Sequence, residues 1–154
     1  MSGTLVRSAA LGAAAGVRSM TPITIVSWAA ASRRISLQTP LDALGERWVL
    51  RMLALWALGE YAADKLPFIP SRTAPPFLAW RAVMGGLVGA AISAADRESS
   101  LAGSVVGISG AVAGSFGGEW ARMRVSKNFQ LPGPLAGTLG DLVGIGLSFW
   151  GVRR

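Results

Sequence analysis

Apolar residues in this chain do not alternate with polar ones; they gather into long stretches separated by charge and proline. A helix that crosses a bilayer needs ~20 mainly apolar residues at about 1.5 Å rise each. Five regions approach that length, at residues 4–31, 47–66, 77–95, 101–121 and 135–150. The pattern predicts an all-α, polytopic transmembrane helical bundle of five spans, forming a single domain over residues 1–154. The first region is interrupted by Arg18-Ser19-Met20-Thr21-Pro22. Proline lacks a backbone donor and disfavours helix at the residue before it, so this span is expected to be kinked or broken near Thr21.

The connections fit this division. Residues 32–46 carry Arg33, Arg34, Asp42 and Glu46, a polar link with room for a short interfacial helix after Pro40. The tract Pro67-Phe68-Ile69-Pro70-Ser71-Arg72-Thr73-Ala74-Pro75-Pro76 holds too many prolines for regular helix. Trp28, Trp48, Trp80, Trp120 and Trp150 fall near the proposed span ends, where an indole suits the headgroup level. Glycines recur every three or four residues: Gly85, Gly86 and Gly89, then Gly103, Gly107, Gly110 and Gly114, then Gly137, Gly140 and Gly144. That spacing places them on one helix face, where missing side chains let two backbones approach.

A short echo links two spans. Leu58-Gly59-Glu60 is matched by Leu139-Gly140-Asp141, and each is followed eight residues later by phenylalanine, Phe68 or Phe149. A glycine-rich stretch ending near arginine precedes each, Leu11 to Arg18 and Gly107 to Arg122. Spans one and two would then form one unit, and spans four and five a second, inverted by the single span between them. Chance similarity among helices built of glycine, alanine and leucine is the competing explanation.

Composition narrows the classes of function. Of 154 residues, 51% are hydrophobic and 15% charged, against roughly 25% charged in an average soluble domain. The net charge is +7 and the pI about 11.5, but the fifteen cations are dispersed between apolar stretches, unlike a nucleic-acid-binding face. The lipid bilayer, anionic lipids in particular, is the expected partner. Cysteine and histidine are absent, which removes disulfides, thiolate and imidazole metal ligands and the usual catalytic triads. No phosphate loop or dinucleotide fingerprint is present. The chain is therefore expected to be neither an enzyme nor a holder of cofactor or metal. The N-terminal apolar stretch continues past Arg18 and reads as a retained helix, not a cleaved signal peptide.

With five spans, Arg7, Lys65, Arg72, Arg81, Arg122, Arg124 and Lys127 lie on one side, and Arg33, Arg34, Arg47, Arg51, Arg97, Arg153 and Arg154 on the other. The positive-inside rule works on a difference, and here there is none. Orientation stays open on this count, and an antiparallel homodimer inserted both ways is one reading.

Charge inside a span is the sharpest functional signal, since a central Asp, Lys or Arg costs about 2.5–3.5 kcal/mol even on insertion scales. Arg18, Glu60, Asp64, Glu119 and Asp141 qualify. Glu60 and Asp64 are four residues apart on one helix face and repel unless a cation or proton intervenes; Arg18 is the natural cation. Ser19 and Thr21 beside the break add polar groups to such a site. Asp64 with Lys65, and Glu119 with Arg122, equally suit plain interfacial snorkelling. Arg72 with its neighbouring hydroxyls could bind phosphate or a lipid headgroup, or dock the loop.

Taken in order, Gly16-Val17-Arg18-Ser19-Met20-Thr21-Pro22, Gly59-Glu60, Asp64-Lys65-Leu66-Pro67-Phe68-Ile69-Pro70-Ser71-Arg72-Thr73 and Arg81-Ala82 resemble a family of small bacterial membrane proteins known only as domain of unknown function 4126. The resemblance extends over nearly the whole chain. It implies a membrane location and an architecture, with no activity to carry over. Arg18, Ser19, Pro22, Asp64, Lys65, Pro67, Pro70, Arg72 and Asp141 match its pattern, whereas Glu119 stands where relatives would carry an uncharged residue. The binding candidates are thus Arg18, Ser19, Thr21, Glu60, Asp64, Lys65, Arg72 and Asp141. The leading expectation is a small transporter or channel-like protein of the bacterial inner membrane. The alternatives are a structural or assembly protein, and a lipid-headgroup binder centred on Lys65 and Arg72.

Overall fold

The alanine-rich stretch at the start has little side-chain entropy to lose and forms α1 (Gly3–Val17). A computed structural model describes residues 3–63, 74–129 and 133–153. Five further helices follow: α2 (Met20–Ala31), α3 (Arg47–Ala63), α4 (Pro75–Ala95), α5 (Ser100–Phe129) and α6 (Gly133–Gly151). A short 3-10 turn, Leu41–Gly45, precedes α3. All regular structure among the described residues is helical, as the apolar pattern predicts. Two of the helices, α4 and α5, are long and apolar enough to cross a membrane.

Contacts between helices fix their directions. Gly12 of α1 lies against Gly107 of α5, and Gly16 against Ala111 and Ser115, so α1 and α5 run in parallel. Helix α4 is antiparallel to both, with Gly89 on Gly103, Gly85 on Gly107 and Ala111, and the Ser8 hydroxyl 3.2 Å from Gly89 O. Helix α6 is antiparallel to α1: Asp141 reaches Arg18, while Gly151 packs on Leu11.

The first region departs from the expected single span. Trp28 of α2 meets Phe149 edge to face at 5.9 Å, level with the end of α6 and the start of α1. Ser36 shares a cleft with Asp96, which bonds Thr4 and Arg7 of α1. A chain continuing beyond Val17 in the direction of α1 could not return to that level within so few residues. Hence α1 and α2 form a hairpin whose tip, Arg18-Ser19, lies partway along the bundle. Pro22 does not kink a continuous helix near Thr21; it occupies the first turn of a new one, where its missing N–H costs nothing. Helix α3 then runs back along α2, with Leu44 O accepting from Ser27 Oγ at 2.6 Å and Glu60 at the hairpin tip.

These directions bear on the echoed segments. Helices α3 and α6, which carry them, are antiparallel, but α1 and α5, which precede them, are parallel. A single twofold operation cannot carry α1 onto α5 and α3 onto α6 together; α2, the other helix of the first region, runs antiparallel to α5 as α3 does to α6.

Glycine accounts for the close trio of α1, α4 and α5. A Cβ on Gly107 would stand 2.1 Å from Gly85 O, and one on Gly12 would stand 2.2 Å from Gly107 O. Only a hydrogen fits at such points, and backbone dispersion contacts replace side-chain packing. Leu11, Val26, Val88, Ala91 and Ile92 fill the core beside this trio with no exposed surface. Helix α3 contributes no fully buried residue; Trp48, Leu55, Trp56 and Leu58 on it are 58–67% exposed. Helices α2 and α4 both end with arginine in the left-handed region, Arg33 at φ 55° and Arg97 at φ 59°. In both, the next amide turns back to a helical carbonyl, Arg34 N to Ala29 O and Glu98 N to Ser93 O, each at 2.8 Å.

Candidate functional site

The hairpin tip interrupts the backbone ladder, leaving carbonyls at the end of α1 and N–H groups at the start of α2 without helical partners. Side chains from three other helices meet those needs. The Glu60 carboxylate of α3 accepts from Ser19 N at 3.0 Å through Oε1 and from Met20 N at 2.9 Å through Oε2. A negative charge there also complements the positive end of the α2 dipole. Arg81 of α4 donates from Nη1 to Gly16 O and, at 2.9 Å, to Val17 O. The Ser115 hydroxyl of α5 lies 2.8 Å from Ala111 O and 3.2 Å from Gly16 O, sharing one proton between them.

Arg18, at the tip, turns to α6. Its Nε and Nη2 donate to the two Asp141 carboxylate oxygens at 2.5 and 2.8 Å, a bidentate pair suited to the planar guanidinium. These side chains are 6% and 10% exposed. The Tyr61 ring covers the guanidinium, with its centroid 4.7 Å from Cζ. Arg81 Nη2 stands 4.0 Å from Glu60 Oε1, beyond hydrogen-bond range yet close enough to couple the two charges. Arg18 and Arg81 thus balance Glu60 and Asp141. The result is a neutral network joining α1, α2, α3, α4, α5 and α6 around the hairpin tip.

Of the residues singled out in the sequence, Arg18, Glu60 and Asp141 converge here, and Ser19 joins through its backbone N–H. Thr21 sits half-buried in the first turn of α2, outside the network. Asp64, Lys65 and Arg72 lie outside the described residues. Arg81, Ser115 and Tyr61 were not singled out. For Arg81 the signal is present in the sequence, since it is a cation inside the apolar stretch 77–95. Ser115 and Tyr61 carry no such signal, because a hydroxyl in an apolar helix usually bonds its own backbone.

A second polar knot lies at the opposite end of α1. Arg7 Nη1 and Thr4 Oγ1 bond Asp96 Oδ2 at 2.6 and 2.9 Å, and Arg7 Nε bonds Gly151 O at 2.8 Å. This knot ties the start of α1 to the ends of α4 and α6. Among the described residues, acidic side chains form no group of three able to hold a metal ion.

Capping by Glu60 has a measurable consequence. Glu60→Ala removes the acceptor for two amides and is expected to lower stability by ~1–2 kcal/mol in detergent thermal unfolding. Glu60→Gln, which keeps an acceptor oxygen, should lose less; equal losses in the two variants would contradict the capping role.

Comparison with curated proteins and with solved structures returns no match. The family profile described as a domain of unknown function matches residues 5–152. That match takes in the hairpin, its tip and every helix that meets it, and the chain belongs to this family, DUF4126.

Proposed function

We propose that this chain is a small integral membrane protein of the bacterial inner membrane, with transporter or channel-like activity centred on the hairpin tip. The observation that carries the reading is the meeting of two helix ends and four charged side chains partway along an apolar bundle. Non-helical backbone and charge at that depth are expensive in lipid, and they are commonly retained where a solute or ion must pass. Broken helices whose ends face a midplane site are a recurrent feature of transporters. The exposed apolar surfaces of α3, α5 and α6, including Leu55, Leu58, Leu101, Leu142 and Val143 at 58–76% exposure, suit acyl chains and are unsuited to water.

In this reading α3, α4, α5 and α6 cross the bilayer, and the α1–α2 hairpin enters from one face and returns to it. Among the described residues Arg7, Arg33, Arg34, Arg47, Arg51, Arg97 and Arg153 then share that face, against Arg122, Arg124 and Lys127 opposite. In this reading the hairpin face, which carries the larger share of these cations, is the cytoplasmic one. A single orientation is therefore expected, which removes the motive for an antiparallel dimer.

The ion pairs act as a closed gate: passage requires Arg18 and Asp141 to part and Glu60 to leave the start of α2. Proteoliposomes holding the purified protein should pass some ion or small solute above the rate of empty vesicles, with a changed rate in Glu60→Gln. Absence of flux across a broad panel, with the protein folded in the bilayer, would sink this reading. It would favour the structural alternative, which draws support from the matching of two guanidinium groups with two carboxylates within the network.

A further inference from the structure

A crevice runs between α5 and α6 from the level of Ala13, Gly114 and Leu147, past the hairpin tip, toward the end of the molecule opposite the hairpin face. Val17 of α1 backs it at the level of Gly118 and Gly140, Gly117 and Gly118 of α5 and Gly140 and Leu147 of α6 form its walls, and Arg122 lines its outer part. Its volume is about 400 Å³. From Gly114 to Val125 the α5 wall extends about 16 Å, at 1.5 Å per residue. That length equals one leaflet of hydrocarbon, ~15 Å.

We infer that this crevice binds an anionic glycerophospholipid, with one acyl chain along the glycine wall and the phosphate at Arg122. Charge complementarity supports it. The last turns of α5 carry Arg122, Arg124 and Lys127 against the single acid Glu119. Arg124 also stacks on Trp120, 4.7 Å from the ring centroid, a pairing that suits the headgroup level. The mouth of an apolar channel therefore lies where a phosphate would sit, and basic pockets between membrane helices select anionic headgroups. A second copy of this chain, with a net charge of +7, would bring further positive charge to a mouth that already carries Arg122, so charge disfavours it as the occupant. The floor of the crevice at Gly140 adjoins Asp141, so a bound acyl chain would buttress the helix that holds Arg18.

The inference rests on the membrane location proposed above, and flotation with vesicles tests that location by itself. The purified full chain is incubated with phosphatidylglycerol or phosphatidylcholine, delipidated under matched conditions and measured by native mass spectrometry. Wild type should retain phosphatidylglycerol in preference to phosphatidylcholine. Arg122→Gln should weaken retention about fivefold, the worth of one cation at an anionic surface. Gly117→Leu should weaken it too, because it fills the crevice without displacing backbone, no atom lying within 4 Å of its Cβ position. Gly146→Leu, with equally open space on α6, should bind as wild type does. Equal retention of the two lipids, unaffected by either crevice variant, would overturn the proposal. So would a Gly117→Leu variant that loses a dimer and keeps its lipid, which would assign the crevice to a second copy. Protein that floats yet retains no lipid overturns this inference alone, whereas protein that does not float overturns the location as well.

Discussion

Asp141→Ala is expected to destabilise the protein by about 3–5 kcal/mol, because it leaves the buried Arg18 guanidinium without its bidentate carboxylate. The single substitution removes both hydrogen bonds and strands a charge that is 6% exposed. Tyr61 can offer its ring face, but a cation–π contact of about 1–2 kcal/mol does not replace an ion pair. Thermal or denaturant unfolding in detergent measures the loss. Replacing both partners with apolar residues of similar size, Arg18→Met with Asp141→Leu, should recover most of it, because the desolvation penalty disappears with the charges. A loss below ~1 kcal/mol in the single variant would place the pair in the class of solvated surface bridges. The double variant also separates stability from activity: a stable protein without flux would assign the charges to passage.

The second large effect concerns the α1, α4 and α5 trio. Gly107→Ala places a methyl 2.1 Å from Gly85 O and 3.2 Å from Gly89 Cα, with backbone atoms unable to rotate away. Overpacking of about 1–3 kcal/mol is usual where side chains can yield, and this site belongs at or above the upper end. Gly117→Ala, on the same helix, meets nothing within 4 Å and should raise stability by up to ~1 kcal/mol through helix propensity. Comparing the two unfolding midpoints tests whether helix approach, and not helix propensity, sets the glycine content. Equal shifts would favour propensity, since the substitution itself favours the helix by ~1 kcal/mol at either position.

Much of this arrangement is legible in the chain. The apolar runs predict helices throughout, and glycine spacing predicts which faces meet: Gly103 and Gly107 of α5 do press on Gly85 and Gly89 of α4. Charge inside apolar runs points to Arg18, Glu60 and Asp141, which converge although they are 42 to 123 residues apart along the chain. The signal is strong because each would be costly alone in a low-dielectric interior. Arg81 gives the same signal and needs only to be counted as part of its helix.

What the sequence by itself determines here is therefore the helical class, the breaks and the side chains that require partners. Those properties follow from local geometry and from the cost of burying charge, and each can be evaluated residue by residue. The direction of α2 is different. Pro22 is compatible with a kink or with a new helix, and only packing of Trp28 on Phe149 and of Ile35 in the core makes the return path the stable one. That choice brings the start of α1 and the end of α6 to the same end of the bundle and changes the balance of charge between faces. Partner choice is likewise tertiary: Glu60 caps α2 and Asp141 takes Arg18, because helix directions bring those groups within 3.0 Å. Local sequence holds no information about such distances, which arise from the sum of many contacts across the bundle.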